Sequence, residues 1–488
     1  MENPFDVIIV GAGPVGLLTA IELTLGGARV LVLERLTAPS LAMKAWGIGT
    51  LGSEALKRRG MAPAIAAEEA RTFATIEQTG ATQRGRNSKY SGHFAGLSLI
   101  RKDAQAEPDR RPHAVDQQGV EAMLAARAAA LGIEVRRGCE VIGFVEQADG
   151  VEVTCVSTDG ETRIRGAWLA ACDGGRSPIR KRAGFAFPGT PPSSTLYQAI
   201  AEIDHPDRLL PFGWHRTAGG MFSYGPFPGR LFMLDFNGPP EDRDAPVTRE
   251  EIETTLRRIS GADVHLKALT AASRWTDNTR LADTYRQGRV CLAGDAAHIH
   301  SPFGGQGLSL GLVDAANLGW KLAAVVRGDR PESLLDTYTA ERRPVAQAVL
   351  ANTLAQVAIM RPDPQSGAMR DLIASLLDLD DVNRRIGEIM SGLSTRYDLG
   401  SNDDRVGRLI GDRPVGDATL YDLMQDGRGV LLDASGGALS RHVMTPRVQC
   451  VAVDTGPSLL IRPDACVAWA GDGVNDLDGL DDALKRWF

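Results

Sequence analysis

The stretch Gly294 to Gly311, GDAAHIHSPFGGQGLSLG, follows the apolar run Val290 to Ala293 and leads into LVDAANLGWKLAAVV. That pattern predicts a strand, a loop and a helix start. Asp295 stands where the apolar run ends, so its carboxylate is placed to accept hydrogen bonds from a sugar-alcohol chain lying across the strand tip. Gly304, Gly305 and Gly307 strip side chains from the turn into the helix, which lets a flat ligand approach the backbone. The free N–H groups there, with roughly +0.5 of dipole charge, favour developing negative charge. An isoalloxazine, which becomes anionic at its N1/C2=O edge on reduction, fits this description.

Other chemistries share the same residues. Gly307-Leu308-Ser309-Leu310-Gly311 matches the G-x-S-x-G nucleophile elbow of a hydrolase, but that motif needs the serine on a sharp strand-to-helix turn. Here the strand ends before Asp295, and Pro302 and a loop intervene. His298 and His300 are candidate metal ligands, yet alternate residues of an extended chain point oppositely and no Cys or acidic partner completes a site nearby. A structural or capping role is expected for them, and no metal site.

A second constellation lies at the start of the chain. Asp6 to Val10 is a β-rich run leading into GAGPVG, Leu17 to Leu25 is helical in pattern, and Ala28 to Leu33 is a second strand ending at Glu34. In this βαβ setting Gly11-x-Gly13-x-x-Gly16 allows a tight turn, backbone approach to a pyrophosphate and close helix packing. Glu34 is placed to hydrogen-bond an adenosine ribose. The pattern specifies a dinucleotide and leaves NAD and FAD both open. Asp173-Gly174-Gly175-Arg176-Ser177 forms a third glycine-rich turn, between the strand Ala167 to Ala171 and the helix-like PIRKRAG, and either closes over a cofactor or is a Ser177-capped turn.

The elements around these motifs follow from length and patterning. A chain of 488 residues implies about three domains and a large core. A net charge of −7, from 54 basic and 61 acidic residues, excludes an ordinary nucleic-acid binder. The six cysteines are scattered without metal spacing, as free thiols of a reducing compartment, and a cytoplasmic location is expected. MENPFD has no basic n-region, so no signal peptide is expected, and the apolar run Val7 to Leu25 is broken by glycines and Pro14, reading as strand-turn-helix rather than a membrane span. Residues 186–280 predict a sheet with one helix, rich in aromatics (Phe212, Trp214, Phe222, Tyr224, Phe227, Phe232), some of which alternation directs to one face as the wall of a site for a flat apolar substrate. Helices are predicted at Val313 to Val326, Glu332 to Met360 and Ser366 to Leu393. A last unit of strands follows a linker rich in Asp, Gly and Pro.

The glycine fingerprint, the DG turn and the GD stretch stand in the order of the class A flavin-dependent aromatic hydroxylases that share the p-hydroxybenzoate hydroxylase fold, and the chain resembles them over essentially its whole length. GDAAHIHSPFGGQGLSLGLVDAANLGWKL, YTAERRPVA and LLIRPDACVAWAG resemble the three-domain branch that tailors aromatic polyketides. The resemblance implies an α/β protein with an α+β middle. Its parts would be a Rossmann-like FAD-binding domain (1–185 and 281–398, with a helical extension over 331–398), a substrate-binding sheet domain (186–280) and a thioredoxin-like C-terminal domain (399–488) lacking C-x-x-C. It also implies non-covalent FAD, transient NAD(P)H, O2 and a small aromatic substrate, in a monomer or homodimer with no nucleic-acid or membrane partner.

Carried over by motif, Gly11, Gly13, Val15, Gly16 and Glu34 would hold the ADP half of FAD, with Arg35 beside the adenosine and Gln117 touching the cofactor. Lys44 stands where an arginine is usual, and loses the bidentate geometry of that residue. Asp173 and Gly174 match the DG motif linked to FAD and NADPH. Asp295 would bind the ribityl chain, and Gly305, Gly307 and Leu308 would present the helix start to the ring. Pro302, Phe222, Tyr224 and Trp46 are the candidates for the substrate pocket, and no side chain is obliged to act as a catalytic base. Leu51 replaces a usual arginine and Ser309 a common asparagine. The implied reaction is hydroxylation of an electron-rich, polycyclic aromatic through a flavin C4a-hydroperoxide. The same fold also serves Baeyer-Villiger insertion, epoxidation and dehydrogenation, and a flavin-binding scaffold without turnover is the alternative of another class.

Overall fold

A computed structural model describes residues 4–40, 44–78, 89–225, 227–472 and 477–488. The strand Phe5–Val10 runs into the helix Pro14–Leu25 and returns as the strand Val30–Glu34, parallel to the first with Val7 opposite Val30. Pro14 suits the first helical turn, where its missing N–H has no partner to lose. Five strands lie in parallel, in the order Val290–Leu292, Gly160–Ala171, Phe5–Val10, Val30–Glu34 and Glu134–Arg137. Val7, Ile8, Ile9, Leu31 and Val32 of the central strands are all fully buried, so these strands are covered on both faces and read as unbroken apolar runs. The long strand Gly160–Ala171 also pairs antiparallel, through its first half, with Gly150–Ser157, and that strand with Glu140–Gln147.

The middle region forms a five-stranded antiparallel sheet ordered Gly213–Thr217, Gly220–Tyr224, Arg230–Asp235, Thr195–Ile203, Leu266–Thr276. The helix Arg249–Ser260, capped by the Thr248 hydroxyl and closed by Gly261 in the left-handed conformation, lies across one face. Its Ile252, Leu256 and Ile259 recur at the spacing of a single helical stripe and bury themselves against that face.

The helix Gln306–Val326 is long and apolar enough to cross a membrane, yet 83% of its most apolar window is buried inside the protein, where it packs on Pro14–Leu25 as a core helix. The single helix expected over 366–393 is two, Pro364–Leu376 and Asp380–Ser391. The break persists because the Asn383 side chain donates to the freed Leu377 carbonyl and to Leu99, both at 2.8 Å.

The last unit is a four-stranded sheet ordered Val448–Ala452, Gly429–Asp433, Ser458–Ile461, Val467–Gly471, with the first pair parallel and the others antiparallel. It meets the core helices through a buried ion cluster. Arg462 donates to Glu341 and Asp464, while Lys321 and Asn317 donate to Glu341, all at 2.6 to 2.8 Å. Burial pushes the Lys321 ammonium down to about 8, against the pull of Glu341.

Candidate cofactor and substrate site

Glu34, Gly11, Asp173 and Asp295 stand at or just beyond the C-terminal ends of four adjacent parallel strands. That edge is where open α/β sheets hold ligands. At Gly11, φ is +105° and a methyl group would fall 2.4 Å from the Cys172 carbonyl oxygen; at Gly16 it would fall 1.9 Å from Gly11 O. Only glycine lets the helix start so close to the strand tips. Gly13 differs, because a methyl group there would meet nothing within 4 Å, so the first helical turn opens onto free space. This is the cradle a pyrophosphate requires.

Glu34 accepts hydrogen bonds from Ala12 N–H at 2.8 Å and Leu36 N–H at 2.9 Å, so its carboxylate already faces the glycine loop. Arg35, the next residue, and Lys44 are both exposed. Gln117 is half-buried at the start of the helix Gln117–Ala130 and is tied to the Lys44 region by its N–H on Ala45 O, 3.1 Å. Val15 wedges its methyls against Gly294 and Gly311, which docks the fingerprint helix onto the GD stretch.

The DG turn joins the same edge. Asp173 accepts from Ile179 N–H at 3.3 Å, and its other oxygen is buried with no hydrogen-bond partner among the described residues. Burial pushes this carboxyl above the usual range, partly offset by the Ser177 hydroxyl. Gly174 has φ +83° and open space around it. Arg180, which the sequence reading passed over, donates to Ala296 O and Gly175 O, both at 2.9 Å, and so ties the DG turn to the GD turn. Its signal was available: a cation in the short helix that Ser177 caps lies within reach of the turn behind it.

Asp295 lies in a single 3-10 turn, exposed at the strand tip. Gly305 has φ +63°, and a methyl group added to it would meet nothing within 4 Å. It caps the helix Gln306–Val326, and its N–H returns to Pro302 O at 3.0 Å. Gly307 and Leu308 are half-buried in the first turn. Of the histidines, His298 is buried and bonds Asp314 at 2.6 Å through Nε2, and His300 bonds Ser301 O at 2.7 Å through Nδ1. Burial pushes His300 down to about 4. Ser309 is inside the helix, not on an elbow; its hydroxyl is buried without a partner among the described residues, pressed against Gly49 and Gly52. Leu51, where an arginine is usual, fills an apolar gap beside Gly392.

The substrate-pocket candidates separate. Phe222 is fully buried and Tyr224 half-buried on the face covered by the helix Arg249–Ser260, with Met233 and Leu231 opposite them. They belong to that core and not to the face turned toward the glycine loop, a correction whose cause is strand alternation: a shift of one residue exchanges the faces. The face toward Pro302 carries Leu196, Met221, Phe232 and Leu234, capped by Phe303, whose ring lies 5.8 Å from Phe232 and 6.3 Å from Trp214. Trp46 is on this side. Arg230 stacks over Trp46 and Phe227 at 4.8 and 4.2 Å, and Gln198 donates to Lys44 O at 3.4 Å. Trp46 Nε1, Arg230 Nη1 and Gln198 Oε1 are buried with no partner among the described residues. Two donors and an acceptor therefore await partners beside an aromatic wall. Gln198 and Arg230 escaped the sequence reading because no motif marks them, although period-2 alternation with Phe232 places Gln198 opposite it.

Residues 4–353 match the family described as FAD binding domain, and residues 404–488 that described as aromatic-ring hydroxylase, C-terminal. The chain is 38% identical to 12-dehydrotetracycline 5-monooxygenase/anhydrotetracycline 6-monooxygenase of Streptomyces rimosus, over 99% of both chains, and 40% identical to a rifampicin monooxygenase of Streptomyces venezuelae, over 99% of this chain and 98% of that one. CabE, an aromatic hydroxylase from angucycline biosynthesis, superposes with a TM-score of 0.87 at 32% identity over 99% of both chains. Another relative in structure, the Diels-Alderase PyrE3, has a TM-score of 0.80 at 33% identity, again over 99% of both chains. The chain belongs to the FAD-dependent monooxygenases that join this FAD-binding domain to an aromatic-ring hydroxylase C-terminal domain.

Proposed function

We propose that this monooxygenase hydroxylates a polycyclic aromatic polyketide, drawing electrons from NAD(P)H. The observation that carries the substrate class is the pair of half-buried indoles, Trp214 on the sheet and Trp46 in the loop against it, packed on the Phe232 cluster beside the unpaired Trp46 Nε1, Arg230 Nη1 and Gln198 Oε1. A flat aromatic body fits the wall, and ring oxygens fit the donors, since buried polar groups cost about 1 to 3 kcal/mol each when left unpaired. Bound FAD supplies oxygen activation and transfer. The chain's own residues bind and orient: Gly11, Gly13, Gly16 and Glu34 at the ADP half, Asp295 at the ribityl hydroxyls, and Gly305 to Leu308 at the ring. Phe303 and the apolar face behind it exclude water from the reacting centre. The relation to tetracycline and rifampicin monooxygenases supports a substrate of that size and polarity.

The relation to a Diels-Alderase favours a second reading, a flavoprotein whose pocket shapes a substrate without oxidising it. NADPH and NADH oxidation, measured with and without anhydrotetracycline, rifampicin and a panel of hydroxylated anthraquinones, separates the two. The expected result is nucleotide oxidation stimulated by an aromatic, with a product heavier by one oxygen. Isomerisation at unchanged mass, without nucleotide oxidation, would establish the second reading.

A further inference from the structure

Asp314 is fully buried in the helix Gln306–Val326, behind the turn that carries Asp295. Its Oδ2 accepts from Gly294 N–H at 3.2 Å and from His298 Nε2 at 2.6 Å; its Oδ1 accepts from Arg342 Nε at 2.7 Å. Gly294 and His298 flank Asp295 in sequence, so one carboxylate holds both ends of the turn. Arg342 donates further to Leu310 O at 3.1 Å, near the start of the same helix, and to the Tyr397 hydroxyl at 3.0 Å. Tyr338 adds a hydrogen bond to Leu292 O, 2.8 Å, at the end of the strand before the turn. Burial pushes the Asp314 carboxyl up, but Arg342 and His298 outweigh it and hold it below the usual range.

We infer that Asp314 is a positioning residue for the flavin: anchored in the helix whose start faces the ring, it holds the Asp295 turn in a fixed orientation toward the cofactor. The inference rests on the reading that Asp295 holds FAD. The physical reason is directional. An apolar residue of similar volume would fill the space as well, and burying a charged group has a large desolvation cost, so packing alone does not account for a carboxylate here. A carboxylate receiving three donors from two segments fixes their relative orientation as an apolar contact does not. Asp314 itself stays behind the turn, and its effect on the cofactor passes through Asp295.

A double-mutant cycle on FAD affinity tests this, using apoprotein reconstituted with FAD and followed by flavin fluorescence, with apoprotein melting recorded in parallel. Asp295→Ala and Asp314→Asn are each expected to weaken FAD binding about tenfold or more. The double variant is expected to bind no more than about twofold worse than the weaker single one, because the second change removes a support whose load is already gone. Multiplicative losses, or an unchanged affinity in Asp314→Asn, overturn the inference. An unchanged affinity in Asp295→Ala instead overturns the site reading on which it rests. Should Asp314→Asn fail to fold, His298→Asn, which leaves the Asp314–Arg342 pair intact, enters the same cycle under the same criteria.

Discussion

Ser309 shows how one residue can carry a motif without its chemistry. Its hydroxyl points at the helix Thr50–Lys57, where a methyl on Gly49 or Gly52 would lie 2.7 or 2.6 Å from Oγ. No acceptor or donor is available to it among the described residues. Removing an unpaired buried hydroxyl relieves a desolvation cost, so Ser309→Ala is expected to melt within about 0.5 kcal/mol of the parent, or slightly above it. FAD content and turnover should be unaltered. Differential scanning fluorimetry and NAD(P)H-linked turnover read both; loss of activity at full flavin content would return the serine to the chemistry.

At the scale of elements, the middle sheet has two apolar faces and only one looks toward the glycine loop. Phe222 belongs to the face packed by Ile252, Leu256 and Ile259, whereas Trp46 borders the other. Phe222→Ala is expected to cost about 3 to 5 kcal/mol of stability, through the cavity left under the helix, while KM for a verified aromatic substrate stays within about twofold. Trp46→Phe keeps most of the half-buried ring and deletes the unpaired Nε1 donor. It is expected to raise KM about five- to tenfold, roughly 1 to 1.4 kcal/mol, with little change in melting. Denaturant unfolding and steady-state kinetics on the two variants distinguish the faces, and the opposite pattern would restore Phe222 to the pocket.

For the molecule as a whole, the C-terminal unit is attached through charge. Arg462 is fully buried, bonds Glu341 at 2.8 Å through both terminal guanidinium nitrogens, and lies 4.5 Å from the Trp487 ring centre. Arg462→Met nearly keeps the volume but leaves Glu341 and Asp464, among the described residues, with Lys321, Asn317 and the Cys466 N–H as donors. The expected loss is about 3 to 5 kcal/mol. Urea unfolding checks it, and a stability within about 1 kcal/mol of the parent would show that apolar packing alone holds the unit.

Much of this architecture was legible in the chain itself. Continuous apolar runs such as Val7 to Val10 and Leu31 to Leu33 declare strands buried on both faces. Gly11 and Gly16 declare a close approach, because no other residue tolerates contacts of 2.4 and 1.9 Å at the methyl position. The GD stretch and the DG turn end strands by their own local chemistry, and the order of the three motifs carried the resemblance to the flavin hydroxylases. What the sequence left open depends on partners distant along the chain. The parity of Phe222 against Phe232 is decided by which face the helix Arg249–Ser260 covers, a choice that alternation alone leaves two-fold. The break at Leu377 depends on an Asn383 side chain satisfying a carbonyl from each of two segments. Asp314 reads as one polar residue in an apolar helix until folding brings Gly294, His298 and Arg342 around it, since a buried carboxylate is stable only where tertiary contacts supply its donors.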